Sequence, residues 1–198
     1  MNNKYNITQE KIFKNIKKNL INLDPDLCLQ YLFWLEKKTM YFRQSVLKVS
    51  YGSQPDNIQR GDLVWVEFGV NIGNELSDIF TKGHYAVVWA VDLGNVVVIP
   101  LTSRTSYNSK LCLDLGIIKG LNDDGMTRSY LKLDAIRSIS KRRIGRMPNK
   151  NQGKLVLSDQ QMSKIKDHIY DYFVKEDFNV YSNEIDILNY IAYHIENS

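Results

Sequence analysis

Three side chains of this 198-residue protein, His84, His168 and His194, can exchange a proton near neutral pH unaided, because an imidazole titrates at about 6.5. His84 opens an apolar run, whereas His168 and His194 fall in the closing segments without the spacing of metal ligands. The two cysteines, Cys28 and Cys112, show no CxxC spacing. They read as small buried apolar side chains, not as a disulfide framework or a thiolate zinc site. No metal and no cofactor is expected. Two adjacent hydroxyls, Thr102 and Ser103, end a second apolar run. The densest charge is basic, with Arg137, Lys141, Arg142, Arg143 and Arg146 placing five cations within ten residues. Such a cluster neutralises phosphates when it borders a groove, and otherwise forms a solvated turn surface.

Charge is uneven along the chain. Within a formal net charge of +4, residues 58–150 carry 13 Lys and Arg against 9 Asp and Glu. Residues 1–57 carry 9 against 5, and residues 151–198 carry 4 against 8. A basic middle suits a polyanionic ligand. The hydrophobic fraction of 43% excludes wholesale disorder. No run approaches the roughly 18 apolar residues of a membrane-spanning helix. The first residues also lack a secretory pattern, so a cytoplasmic protein with no membrane partner is expected.

The elements that would position these groups follow from periodicity. Residues 5–50 read as helical: Ile12, Phe13, Ile16 and Leu20 recur at threes and fours. Asp24 followed by Pro25 reads as an N-cap with proline at the first helical position. Leu27, Tyr31, Leu35, Tyr41, Phe42 and Val46 are the expected inner face beyond it. Residues 51–57 (YGSQPDN) read as a linker. Residues 62–68 (DLVWVEF) alternate as a strand, with Leu63, Trp65 and Glu67 opposed to Val64, Val66 and Phe68. A long polar loop follows, over residues 69–83. Two nearly continuous apolar runs, 85–91 and 96–101, then form a hairpin with both faces buried. Further strands are expected over 111–115, 129–133 and 136–139. Ser158 and Gln161 fit a capping box opening a helix with Met162, Ile165, Ile169 and Phe173 on one face. A last amphipathic helix is expected after residue 176. Strands grouped between helices indicate an α+β fold with a small β-barrel rather than a parallel α/β sheet.

Several segments resemble the MazF/PemK toxin family. Residues 60–68 (RGDLVWVEF) resemble its opening strand, and residues 73–75 (GNE) its glycine–serine–glutamate loop. Residues 86–88 (AVV) resemble its second strand, and residues 98–103 (VIPLTS) its third. Residues 130–144 (YLKLDAIRSISKRRI) resemble its leucine–aspartate–glutamine–isoleucine–arginine segment. The five segments stand in the family's order. The resemblance implies an SH3-like barrel of the MazF/PemK/CcdB type over residues 58–175, with residues 1–57 as a helical extension and 176–198 as a C-terminal helix. It implies a homodimer, an antitoxin protein as partner and an endoribonuclease acting on single-stranded RNA without a metal.

The family places a catalytic arginine before a proline at the start of the second strand; this chain has His84 and Tyr85 there. Cleavage by 2′-hydroxyl attack leaves a 2′,3′-cyclic phosphate and a 5′-hydroxyl. It requires a base, an acid and donors to the phosphorane oxygens. On the resemblance, His84 is the acid or base, and Thr102 and Ser103 orient the phosphate. Arg60, Arg137, Arg142 and Arg143 supply charge to RNA. Asn74 and Glu75 read unpaired bases, and Tyr85 and Tyr107 stack on them. Each has a plainer reading: strand-entry histidine, strand-end hydroxyls, turn caps, core aromatics. The competing function is a catalytically silent barrel that binds a protein or RNA, or a topoisomerase as CcdB does. The N-terminal helices could cover the groove, extend a dimer interface or bind the antitoxin.

Overall fold

The computed structural model describes residues 2–49, 57–73, 75–78, 83–105, 109–122, 124–147 and 154–175, with side chains from Asn6 onward. The expected linker, apart from Asn57, and the expected helix after residue 176 lie outside these residues.

Two helices come first, α1 (Asn2–Leu20) and α2 (Pro25–Val46). Asp24 caps α2 as expected, its carboxylate accepting from Asp26 N and Leu27 N at 3.0 Å each. Seven strands follow: β1 (Leu63–Val66), β2 (His84–Asp92), β3 (Asn95–Thr102), β4 (Cys112–Ile117), β5 (Arg128–Lys132), β6 (Arg137–Ser140) and β7 (Ile144–Gly145). All their pairings are antiparallel. The spatial order is β4-β5-β3-β2-β1-β7, with β6 also on β3. The fold is therefore α+β. Strand β3 carries two partners on one edge: β6 along Asn95–Val98, and β5 at Leu101–Thr102.

The two apolar runs bury both faces because each face meets its own cluster. Leu63, Val87, Ile99 and Leu101 pack with Leu131, Leu133 and Ile165 on one side. Val64, Val66, Phe68, Ala86, Val88 and Val98 pack with Ile139 on the other. The alternation read from residues 62–68 holds, with Leu63 and Val64 falling into opposite clusters.

Helix α3 (Asp159–Ile169) closes the first cluster. Its capping box is formed: Gln161 N donates to Ser158 Oγ at 3.3 Å, and Ser158 N to Gln161 Oε1 at 3.1 Å. Gln161 Nε2 also donates to Leu115 O at 3.1 Å, tying the helix to β4. Phe173, expected inside, is exposed.

Helix α2 corrects the expected packing face. Leu27, Tyr31, Phe42 and Val46 are exposed, and no residue of α2 is buried. Of the expected face, Leu35 and Tyr41 are half-buried; Tyr41 faces the end of β1 together with Gln30, Trp34, Lys37 and Gln44, which share one side at helical spacing. The reason lies in what α2 meets: the sheet's apolar faces are already covered, so α2 docks on polar groups beyond the end of β1. Cys28 and Cys112 are only partly buried, and Cys28 Sγ donates to Leu20 O at 3.4 Å across the α1–α2 corner.

Candidate active site

Chain register brings the chemistry together. The β2–β3 ladder has Ala86 opposite Pro100; beyond it, β2 begins at His84 and β3 ends at Thr102. On the far side Thr102 pairs with Tyr130 of β5, and His84 pairs with Val66 of β1. A cleft of about 530 Å³ opens where β2 begins and β3 ends, lined by His84, Tyr85, Thr102 and Ser103. Arg104, Arg128, Asn122 and Ser129 add polar groups, while Trp65 and Tyr85 form an aromatic wall, edge to face at 4.9 Å. Gly83 must lack a side chain, since a Cβ there would lie 2.6 Å from Trp65 Nε1 and 2.9 Å from Val66 O.

His84 is held from behind. Its Nδ1 lies 2.5 Å from Asp78 Oδ1, with Asp78 almost wholly buried and His84 about a quarter exposed. Asp78 is itself fixed: Gly69 N donates to its Oδ2 at 2.8 Å, and its own N–H donates to Gly69 O at 2.9 Å. Phe68 meets the imidazole edge to face, with centroids 6.3 Å apart. The intervening loop is stitched by Asn71, whose Nδ2 reaches Leu76 O at 2.5 Å and whose N–H reaches Ser77 Oγ at 2.9 Å. An imidazole bonded through Nδ1 to a carboxylate has a defined tautomer, with Nε2 left for proton transfer.

Thr102 serves the local backbone as well as the cleft, accepting from Arg104 N at 3.1 Å. Arg128 is oriented by Asp114: its Nη2 lies 2.6 Å and its Nε 3.2 Å from Oδ2. Burial works against the ionised Asp114, but the bonds from Arg128 and Gly116 N–H outweigh it and hold the carboxyl below its ordinary pKa.

The other expected RNA contacts lie elsewhere. Arg60 stacks on Trp89, 3.9 Å from the ring centroid. Arg143 donates through Nε to Glu67 O at 2.8 Å and through Nη2 to Phe68 O. Burial, and then repulsion from Arg137, push its pKa down. Arg142 donates to Val49 O at 2.9 Å. Arg137 lies over Phe68, 5.2 Å from its centroid. None of these four lines the cleft, nor does the exposed Glu75. Asn74 and Tyr107 fall outside the described residues. The basic run thus braces the end of β1 and α2, while Arg104 and Arg128, isolated in sequence, face the cleft. Asp78 also escapes sequence reasoning; its one trace is an acidic residue six positions before His84 in a long loop.

Among the described residues, no three of His, Cys, Asp and Glu gather as metal ligands, and no helix is long and apolar enough to cross a membrane. His168 is structural, with Nε2 2.8 Å from Lys110 O and its ring against Tyr172.

Residues 59–173, more than half of the chain, match the family of PemK-like, MazF-like toxins of type II toxin-antitoxin systems, and the chain belongs to that family. Such a toxin has an antitoxin as its partner, and toxins of this kind are generally RNA-cleaving enzymes. Helices α1 and α2 lie outside the matched residues. No curated protein matches the chain.

Proposed function

We propose that this toxin is an endoribonuclease that cuts single-stranded RNA by 2′-hydroxyl attack, with His84 as the proton-transfer group. The observation that carries the reading is the Asp78–His84 pair at the rim of a cleft containing Thr102 and Ser103. Where the family has an arginine, a histidine can move a proton as well as carry charge. Asp78 accepts from Nδ1–H, so Nε2 takes the proton of the 2′-hydroxyl or returns one to the leaving 5′-oxygen. Thr102, whose oxygen accepts from Arg104 N, keeps its hydroxyl proton for a phosphate oxygen. Ser103 adds a second hydroxyl, and Arg128 and Arg104 offset the charge that develops on the phosphorane. The Trp65–Tyr85 wall offers a face for an unpaired base.

The barrel closure and homodimer that the family implies belong to the same proposal, as does the cytoplasm as its place of action.

The test is end-mapping of RNA fragments after incubation with purified protein in EDTA. The expected products carry 2′,3′-cyclic phosphate and 5′-hydroxyl ends. His84→Ala is expected to slow cleavage by about 10²–10⁴-fold, the usual worth of acid–base catalysis, with an unchanged circular dichroism spectrum. Full activity in the folded His84→Ala variant would refute the role. Failure of the wild type to cut any RNA would favour a binding module.

A further inference from the structure

We propose that Trp34, on the helical extension outside the matched residues, is a positioning residue for His84. The contacts form an unbroken path. The Trp34 indole lies against Gly69, where an added Cβ would come within 1.9 Å of the indole Cε2. Gly69 sits at φ +74°, in the left-handed region that favours glycine. It exchanges two hydrogen bonds with Asp78, and Asp78 binds His84 Nδ1. The segment under the indole is clamped from three more directions. Lys37 Nζ and Tyr41 Oη each lie 2.6 Å from a Glu67 carboxylate oxygen, and Arg143 holds the carbonyls of Glu67 and Phe68.

Asp78 stands between two cavities. His84 faces the cleft already described, while Asp78 and Gly69 line a second cavity of about 390 Å³ whose outer wall is Gln30, Phe33 and Trp34 of α2. Helix α2 therefore walls the space behind the carboxylate, which is itself almost wholly buried. A carboxylate–imidazole bond is stronger and better aligned when its acceptor is not also solvated. Among the described residues, none of α1 or α2 lines the cleft itself. The extension acts on the histidine from behind, as a buttress rather than a cover.

The experiment compares full-length wild type, Trp34→Phe, Trp34→Leu and Trp34→Ala. The first readout is the ring ¹⁵N spectrum of His84 in the free protein, which reports the tautomer directly and owes nothing to catalysis. Wild type is expected to show the Nδ1–H form; Trp34→Ala is expected to average between tautomers, with Trp34→Phe closest to wild type. The second readout, which rests on the proposed cleavage, is turnover at saturating RNA. It is expected to slow by about 10- to 100-fold in Trp34→Ala, the scale of a misplaced catalytic group, with KM little changed. If Trp34→Ala loses its sheet amide signals, Trp34→Leu takes its place. A wild-type ring pattern in the folded variant overturns the proposal. A shifted ring pattern in a protein that cuts no RNA sustains it and refutes the ribonuclease reading instead.

Discussion

Helices α2 and α3 both pack on the strand-bearing part of the chain, yet they are attached by different physics. Helix α3 buries Ile165 completely and completes an apolar cluster with Leu63, Val87 and Leu131. Helix α2 buries no residue; it holds on through Trp34 against Gly69 and through Lys37, Tyr41 and Gln44 against Glu67 and Arg142. Burying a leucine-sized side chain contributes about 1.5–3 kcal/mol and is not weakened by charge screening. Partly exposed ion pairs contribute about 0–1 kcal/mol each and are screened. The difference teaches that α3 belongs to the folding unit, while α2 is an attachment whose hold can be loosened without unfolding the sheet.

The largest effect should come from cutting into the apolar attachment. Ile165→Ala is expected to lower global stability by about 2–5 kcal/mol, as for other large-to-small core changes, measured by urea unfolding. A loss under about 1 kcal/mol would place α3 outside the core.

Next comes the polar attachment. Glu67→Gln removes the charge shared by Lys37 and Tyr41 but keeps one acceptor oxygen, and should weaken α2 docking by about 1 kcal/mol, the upper range of a partly exposed ion pair. Hydrogen exchange should quicken in α2 amides and not in β2 or β3. Uniform acceleration would mean that α2 and the sheet unfold together. Burial, and then the hydrogen bond to Glu67, push the Tyr41 phenol above its ordinary pKa. Its contribution is therefore complete below about pH 10 and is lost only as the pH rises further.

The two N-caps give a matched pair. Ser158→Ala and Asp24→Ala each remove a cap worth about 1 kcal/mol. The first should appear in global unfolding, because α3 is coupled to the core. The second should only fray α2, leaving the unfolding midpoint unchanged. Equal losses would erase the distinction between the helices.

The smallest effect concerns Arg128. The folded pKa of Asp114 is depressed, so its contribution is present above the unfolded value of about 3.9 and disappears as the pH falls below it. Both partners are about half exposed, so solvent screens the pair and its contribution is small. Asp114→Asn should be slightly less stable than wild type near neutral pH, and the gap should close as the pH falls through the folded pKa of Asp114.

Local signals are legible wherever the cause is local. The Asp24–Pro25 start, the Ser158–Gln161 box and the two apolar runs of the hairpin need only neighbours in sequence to be read, and each forms. His84, Thr102 and Ser103 stand out through a pattern of residues, and the structure places them at one cleft. Density of charge is the poorer guide. Five cations in ten residues suggest an RNA surface, but Arg142 and Arg143 are occupied with backbone carbonyls and α2. The apolar stripe of α2 misleads in the same way, because the sheet is already covered and the polar side of the helix finds the partners. Strand β7 is too short to show any period.

The sequence alone determined the alternation that buries both faces of β1 to β3, the helix starts and the ordered segments that mark the toxin family, since periodicity, capping and motif order are properties of neighbouring residues. Only the tertiary structure decided that Asp78 stands behind His84, that Arg128 rather than Arg142 faces the cleft, and that Trp34 presses on Gly69. Those relations join residues far apart in the chain or separated by a folded loop. Their distances are set by strand register and helix docking, which no local pattern encodes.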